Sequence, residues 1–285
     1  MVTSTEMVRV ESRGPVTLIG LDRPDKLNAL DQALCDELTE VLTALRHHPS
    51  ILVLYSTTPG IFVAGADIAE LLARDAEIGV RGVNAMLFEL LEAHRWPTIA
   101  AVDGPALGGG CELALACDLR VATHRSIFGQ PELGLGILAG AGGNWRLAQA
   151  VGLPQARRML YAGERLSATQ ARDAGLVDVL VPEGEDLLEA ATAYADVVGS
   201  NSFRALELTK VALRLNRPAT TLYDMTAQAL LFESTEKKER MQAFLDERAR
   251  RRAAREAAAR GTTEQTSSAQ NPQSQDVSSD KEPQP

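Results

Sequence analysis

The chain has 285 residues, of which 45% are apolar and 24% charged, and a formal net charge of −9. That length suits one sizeable α/β domain with an appendage. The acidic balance argues against a general nucleic-acid binder, whose affinity rests on many phosphate-neutralising cations.

Other features narrow the class further. The apolar stretch 98–122 is interrupted by Asp103, Glu112, Asp118, Arg120 and several glycines, so it reads as buried core and not as a membrane span. The first residues carry neither a hydrophobic signal core nor a transit pattern, which makes a cytoplasmic protein the expectation. Cys35, Cys111 and Cys117 show neither metal-ligand spacing nor a disulfide framework, and they read as buried thiols.

In chain order, Val8–Glu11 and Val16–Leu21, joined at Arg13-Gly14-Pro15, form a predicted β-hairpin. Leu34, Leu38, Leu42 and Leu45 recur at helical spacing behind Asp31, a candidate N-cap. Ile51–Tyr55 is a buried strand. A helix near Val83–Arg95 is stopped by Trp96-Pro97, and the strand Thr98–Val102 then leads into Gly108-Gly109-Gly110. A short helix carries Glu112, and Leu119–Ala122 returns as strand. Asn144 is expected to cap a helix through Val151. Ser167-Ala168-Thr169-Gln170 has capping-box form, Gly175 closes that helix, and Leu176–Val181 is a strand ended by Pro182. Only helical patterns follow Glu185, so the expected division is a core over 1–200, a helical region over 201–260 and a disordered tail over 261–285. The tail holds no aromatic residue and is rich in Ser, Thr, Gln, Asp and Pro.

Two turns could carry chemistry. A triple-glycine turn running into a helix presents backbone N–H groups at a positive helix end. A second apolar turn, Phe62-Val63-Ala64-Gly65-Ala66-Asp67-Ile68, follows the Ile51–Tyr55 strand. If the two strands are neighbours, the N–H groups of Ala66 and Gly109 can converge on one oxygen. Glu112 and Glu132, each beside a glycine-rich turn, could activate a water and exchange a proton with carbon. Taken singly, each feature has a plainer reading: tight corners, a Glu112 complementing its helix dipole, a solvated Glu132 after Pro131. Asp67 reads as a helix cap, and Asp118 as a helix end or the partner of a cation such as Arg120. His47, His48, His94 and His124 suggest no metal site. The run Arg248, Arg250, Arg251, Arg252 and Arg255 reads as a solvated helix end, with an RNA or acidic partner as the alternative.

These motifs together resemble the enoyl-CoA hydratase/isomerase, or crotonase, superfamily. Ala64-Gly65-Ala66-Asp67, Gly108–Glu112, Phe128–Glu132 and Gly140–Gly143 stand in that family's order and spacing. Arg23–Leu30 near the start and Met241–Leu245 near the end extend the resemblance over about Val8 to Arg248. It implies an α/β fold, a spiral of ββα units with a C-terminal helical trimerisation region, and a homotrimer or dimer of trimers. It also implies an acyl-CoA thioester substrate whose enolate is stabilised at an oxyanion hole, with no metal and no further cofactor. Carried over, Ala66 and Gly109 match the oxyanion-hole positions. Glu112 and Glu132 match the two glutamates of the hydratase branch, which hold one water between them. Ala64, Gly65, Asp67, Ile68 and Gly140 match substrate-contacting positions. Lys26 matches a region approaching the coenzyme A phosphates, though by itself it equally suits a solvated lysine.

The expected activity is therefore hydration of 2-trans-enoyl-CoA to 3-hydroxyacyl-CoA. The alternatives are a Δ3,Δ2-enoyl-CoA isomerase or a non-catalytic CoA- or RNA-binding protein of the same fold. The chain departs from the family pattern at Ala139, where proline is usual, at Asn144 in place of threonine, and at the bulky Trp145. The pocket walls are expected from the 68–95 segment and from near Trp145.

Overall fold

The hairpin forms as its alternation predicts: β1 (Val8–Arg13) and β2 (Val16–Leu21) pair antiparallel, with Gly14 at φ 58° in the turn. The structure, a computed structural model, describes residues 4–67, 70–71 and 82–214, together with 235, 239, 246–247 and 249–253. It divides into two units, residues 1–221 and 222–285. In the second unit the described residues are helical, and Glu247 pairs with Arg251 at 2.7 Å. Most of the expected helical region beyond Arg214, and the 261–285 tail, lie outside the described residues.

In the first unit, β3 (Ile51–Ser56), β4 (Thr98–Val102), β6 (Leu119–Ala122) and β9 (Val179–Leu180) extend the hairpin as parallel neighbours, in the order β1-β2-β3-β4-β6-β9. Successive side chains point to opposite faces. Accordingly Val16, Leu18, Ile51, Val53, Ile99 and Ala101 join one apolar cluster, and Ile19, Leu21, Leu52, Leu54, Ala100 and Val102 join the other. The first cluster is covered by α6 (Leu187–Gly199), with Phe203 and Leu206 of α7 (Phe203–Arg214) packed against it. The second lies beneath α1 (Gln32–Leu45), α2 (Val83–Glu92), α3 (Gly109–Ala116) and the first part of α4 (Gly143–Ala162).

A second, smaller sheet was not foreseen. β5 (Pro105–Leu107), β7 (Ile127–Gly129) and β8 (Leu166–Ser167) pair in that order, and Val63 bridges to Ala106 at its edge. Each of its strands has only two or three residues, too short for an alternation signal. The chain thus places a long strand in the main sheet, then a short one in the minor sheet, then a helix. That repeat is the expected spiral of ββα units.

The caps are mixed. Asp31 accepts the Leu34 N–H at 3.0 Å, and Ser167 and Gln170 form the expected capping box before α5 (Ala168–Asp173). Asn144 does not cap α4. Gly142, at φ 101°, holds the N-cap position, and the Asn144 Nδ2 instead donates to the Ala139 carbonyl at 3.0 Å. The first helical stretch of α4 ends at Val151 as expected, at Gly152 (φ 73°, ψ 156°), and a second runs on to Ala162. The Leu176–Val181 strand shrinks to Val179–Leu180, because Leu176 and Val177 turn back to the Ala171 carbonyl. Asp118 pairs not with Arg120 but with Lys210 of α7, at 2.6 Å, and also accepts from the Thr98 N–H and hydroxyl. Arg120 turns to Asp178 and to the carbonyls of Ala114, Cys117 and Leu176.

The carboxyl ends of the central strands are tied at Asp103. Its carboxylate accepts from the Gly60 N–H at 2.6 Å, from the Thr123 hydroxyl at 2.7 Å and from the Arg125 Nη2 at 2.6 Å. Those partners follow β3 and β6, so one side chain fixes three strand ends. The closest approach is at Gly110, where a Cβ would stand 2.0 Å from the Val63 carbonyl oxygen. Since that obstacle is backbone, it cannot swing aside. Gly110→Ala is expected to destabilise the chain by about 3 kcal/mol or more, at the upper end of overpacking effects. Urea unfolding measures this, and a midpoint equal to the parent's would contradict the fit described.

Candidate active site

Four loops meet at one end of the main sheet to line a cavity of about 750 Å³. They follow β2, β3, β5 and β7. The loop after β2 contains Leu27 and Asn28, both at positive φ (51° and 54°). Asn28 tolerates that conformation because its fully buried amide is tied on every side. Its Oδ1 accepts the Arg23 N–H at 2.9 Å, and its Nδ2 donates to the Ser56 hydroxyl and the Phe62 carbonyl, both at 2.9 Å. This lashes the Arg23–Leu30 segment to the loop after β3. Leu30 then bridges to Ala66: the Leu30 N–H donates to the Gly65 carbonyl at 2.9 Å, and the Asp67 N–H to the Leu30 carbonyl at 3.3 Å. The Ala66 N–H takes no part in that bridge.

Across from it stands the start of α3. Gly108, at φ 52°, turns the chain from β5 into the helix, and the absent Gly110 side chain lets α3 close on Val63. A Cβ on Gly109 would lie 3.5 Å from the Ala66 nitrogen. The two N–H groups singled out by the sequence therefore border the same small space, at the positive end of a helix.

Glu112, in the first turn of α3, is 4% exposed. Its Oε1 accepts the N–H groups of Ala141 and Gly143, each at 2.8 Å. Gly143 is required there, since a Cβ would lie 3.0 Å from the Glu112 Cγ and 2.9 Å from the Ala139 Cβ. Burial pushes the Glu112 carboxyl up, while the two N–H donors and the Arg146 charge pull it back. Glu132 opens a short 3₁₀ turn, Glu132–Leu135, and is 8% exposed, so it is not a solvated loop carboxylate. A Cβ on Gly108 would lie 3.1 Å from its Oε1. The buried Gln130 amide, oriented to satisfy its surroundings, donates to Oε1 at 2.9 Å and to Oε2 at 3.1 Å. Burial is the main cause that raises the Glu132 carboxyl to about 7, and the Glu112 charge adds to it.

The cavity lining includes Lys26, Ala64, Gly65, Ala66, Asp67, Gly109, Glu112, Glu132 and Gly140, so nine of the residues singled out from sequence share one space. Ile68 lies outside the described residues. Lys26 sits at the rim, with its Nζ 3.8 Å from the Asp67 carboxylate. Asp67 also caps as expected, accepting the Glu70 N–H at 3.2 Å. Trp145 is absent from the lining; its ring is 42% exposed and stacks 4.4 Å from the Arg146 guanidinium carbon. The 68–95 segment does supply wall residues, Leu71, Val83, Asn84 and Ala85, and Leu135, Ile137 and Leu138 take the place expected of Trp145. The apolar run Leu133–Leu138 was a usable signal for the second wall, because Leu133, Leu135, Ile137 and Leu138 are 42–58% exposed instead of packing inward.

Arg146 was missed altogether. It is 4% exposed, donates to the Ala141 carbonyl at 2.7 Å, and is paired with Glu89 at 3.0 Å and with Glu92 from the far end of α2. It therefore braces the loop that supplies both N–H groups to Glu112. His94 is buried, its imidazole lowered by burial to about 4, and it lies away from the cavity. Among the described residues no group of three or more His, Cys, Asp or Glu could hold a metal, and no helix is long and apolar enough to cross a membrane.

A cavity lined by Ala66, Gly109 and two buried carboxylates could polarise a carbonyl oxygen and exchange protons with the neighbouring carbon. Comparison with known proteins agrees. The enoyl-CoA hydratase/isomerase family profile matches residues 11–253. A short-chain-enoyl-CoA hydratase of Clostridium acetobutylicum is 34% identical over 85% of this chain and 95% of its own length. A crotonyl-CoA hydratase of Syntrophomonas wolfei is 38% identical over 85% and 96%. The crystal structure of an enoyl-CoA hydratase from Bacillus anthracis superposes with a TM-score of 0.80, at 32% identity, over 85% of this chain and 97% of that one. The chain belongs to the enoyl-CoA hydratase/isomerase family, on its hydratase branch.

The raised Glu132 value has a thermodynamic consequence. Its folded pKa, about 7, lies above the ordinary 4.5, so the native state holds this proton more tightly than the unfolded chain. The stability it contributes is complete below the unfolded value and is lost as pH rises through the folded one. The melting temperature of Glu132→Gln, relative to the parent, should therefore climb between about pH 4.5 and pH 7 and level off above. Thermal melts across that window test this; a difference independent of pH would show that Glu132 titrates as an ordinary carboxylate.

Proposed function

We infer that the chain is an enoyl-CoA hydratase that adds water to 2-trans-enoyl-CoA to give 3-hydroxyacyl-CoA. The observation that carries this reading is the pair of buried glutamates in unlike surroundings, both lining the cavity that the Ala66 and Gly109 N–H groups border. The thioester oxygen takes the two N–H bonds, which need little rearrangement as negative charge grows on it. Glu112, held by two backbone donors as a carboxylate, accepts a proton from water while the water oxygen bonds to C3. The C2–C3 π electrons shift toward the thioester oxygen, giving an enolate. Glu132, whose carboxyl burial raises to about 7, delivers its proton to C2. One water is consumed, and the proton gained by Glu112 and the one lost by Glu132 re-equilibrate through solvent before the next turnover. This chemistry moves no electrons to an acceptor, so it calls for no metal or redox cofactor.

On the same reading Lys26 stands at the rim for the coenzyme A phosphates, and Ala64, Gly65, Asp67, Ile68 and Gly140 line the substrate's path. The protein is cytoplasmic, with a catalytic core over 1–200, a helical region over 201–260 and a tail over 261–285. It assembles as a homotrimer or dimer of trimers through the helical region. Leu213, 82% exposed on α7, supports that assembly. Light scattering at micromolar concentration should return a trimer or hexamer mass, and a monomer would overturn it.

The two carboxylates provide the functional test. Glu→Gln changes little volume but removes the basic oxygen, so each single variant should lose about 10²–10⁴ in hydration rate while staying folded. The double variant should lose far less than the product of the two, because groups acting as a unit are not additive. Loss of conjugated-enoyl absorbance measures this. Parental hydration by Glu132→Gln would make a one-carboxylate isomerase the better assignment.

A further inference from the structure

Asn84 is the one wall residue with a polar side chain whose donor the mechanism above leaves unused. It lies in the first turn of α2, is nine-tenths buried (9% exposed), and lines the cavity. Its Oδ1 accepts the Cys35 thiol at 3.7 Å, an ordinary distance for sulfur. That contact turns the amide so that Nδ2 faces the other way, toward the start of α3. A Cβ built on Gly109 would stand 3.8 Å from the Asn84 Nδ2 and 3.5 Å from the Ala66 nitrogen. Nδ2 has no acceptor among the described residues. Because Asn84 lines the cavity, this donor is open to whatever molecule fills it.

The position says which ligand atom that is. The Ala66 nitrogen and the Asn84 Nδ2 thus flank Gly109 on one side, closed further by the Leu30 Cδ1, 3.3 Å from the same Cβ point. A methyl wall lowers the local dielectric, so each donor there acts more strongly on developing charge than it would in water. No carboxylate belongs to this trio, and a neutral amide adds a donor without adding a charge that would bind the ground-state carbonyl indiscriminately.

Resting on the hydratase reading for the identity of the oxygen, we propose that the Asn84 Nδ2 is a third hydrogen-bond donor to the thioester oxygen, acting beside the Ala66 and Gly109 N–H groups as that oxygen becomes an enolate. Asn84 is then a catalytic residue and not only part of the acyl wall, and Cys35 is the positioning residue that sets the orientation of its amide.

The test uses the full chain and two substitutions. Asn84→Leu keeps the branching, at a larger volume, and removes both amide groups; Asn84→Asp keeps the shape and replaces the donor by a charged acceptor. With crotonyl-CoA, Asn84→Leu should lose about 10²-fold in kcat, the scale of one oxyanion donor, with KM changed by less than about threefold, and Asn84→Asp should lose at least as much because it sets a like charge beside the enolate. A second readout is independent of hydration: the pH at which bound acetoacetyl-CoA ionises to its enolate, followed by near-ultraviolet absorbance. Loss of a donor to that oxygen should raise this pKa by about two units, the same 10²-fold. Both shifts together support the proposal. Parental kcat and enolate pKa in Asn84→Leu, or a raised KM with kcat and enolate pKa unchanged, overturn it. If the parent enzyme hydrates no 2-trans-enoyl-CoA across a series of chain lengths but the enolate pKa still depends on Asn84, the hydratase reading fails and the donor assignment stands.

Discussion

The contact between Gly110 and the Val63 carbonyl is the constraint on which the site depends. With no Cβ on Gly110, the first turn of α3 rests directly on the loop after β3, and only that closeness brings the Ala66 and Gly109 N–H groups to one space. The neighbours reinforce it from both sides. The Asn28 amide fixes the loop from the β2 side, and the Asp103 carboxylate gathers the ends of β3, β4 and β6. An oxyanion site made of backbone cannot be adjusted by rotamers, so its accuracy comes from how rigidly its loops are held.

The two glutamates show how one side-chain type is set to opposite tasks. Both are buried, and burial raises both. Glu112 is offered two backbone N–H groups and has Arg146 behind the same loop, each of which favours the carboxylate. Glu132 has a neutral Gln130 amide against it and the Glu112 charge nearby, and is held at about 7. The difference lies in the neighbours.

Much of this was legible in the sequence because local chemistry and global fold agree. The main-sheet strands stand out as short apolar runs, Asp31 and Ser167 cap as their types suggest, and Gly108 through Glu112 announce the turn by composition. The minor sheet was hidden because two- and three-residue strands carry no period. Asn144 misled because capping propensity does not say which of three adjacent residues takes the cap, and a glycine at positive φ displaced it. Lys210 as the partner of Asp118 and Arg146 as the brace of the Glu112 loop were invisible for another reason. Each joins elements far apart in sequence, 92 residues in the first case and 54–57 in the second. Buried cations find their partners through topology, which residue patterns alone do not reveal.

The Arg146 brace also shapes how this protein can diverge. Helix α2 spans ten residues, about 15 Å from end to end. Its first turn, with Val83, Asn84 and Ala85, is a wall of the cavity; its last turns carry Glu89 and Glu92, which hold Arg146 and through it the Ala141 carbonyl. One helix thus answers to two selective demands at its two ends. Substitutions that reshape the cavity for a different acyl group are available at Val83 and Ala85 at little risk to the base, whereas Asn84 between them carries a donor. Those at Glu89 and Glu92 would disturb the alignment of Glu112. Lineages that change substrate should therefore vary Val83 and Ala85 and keep Asn84 and the acidic pair behind it.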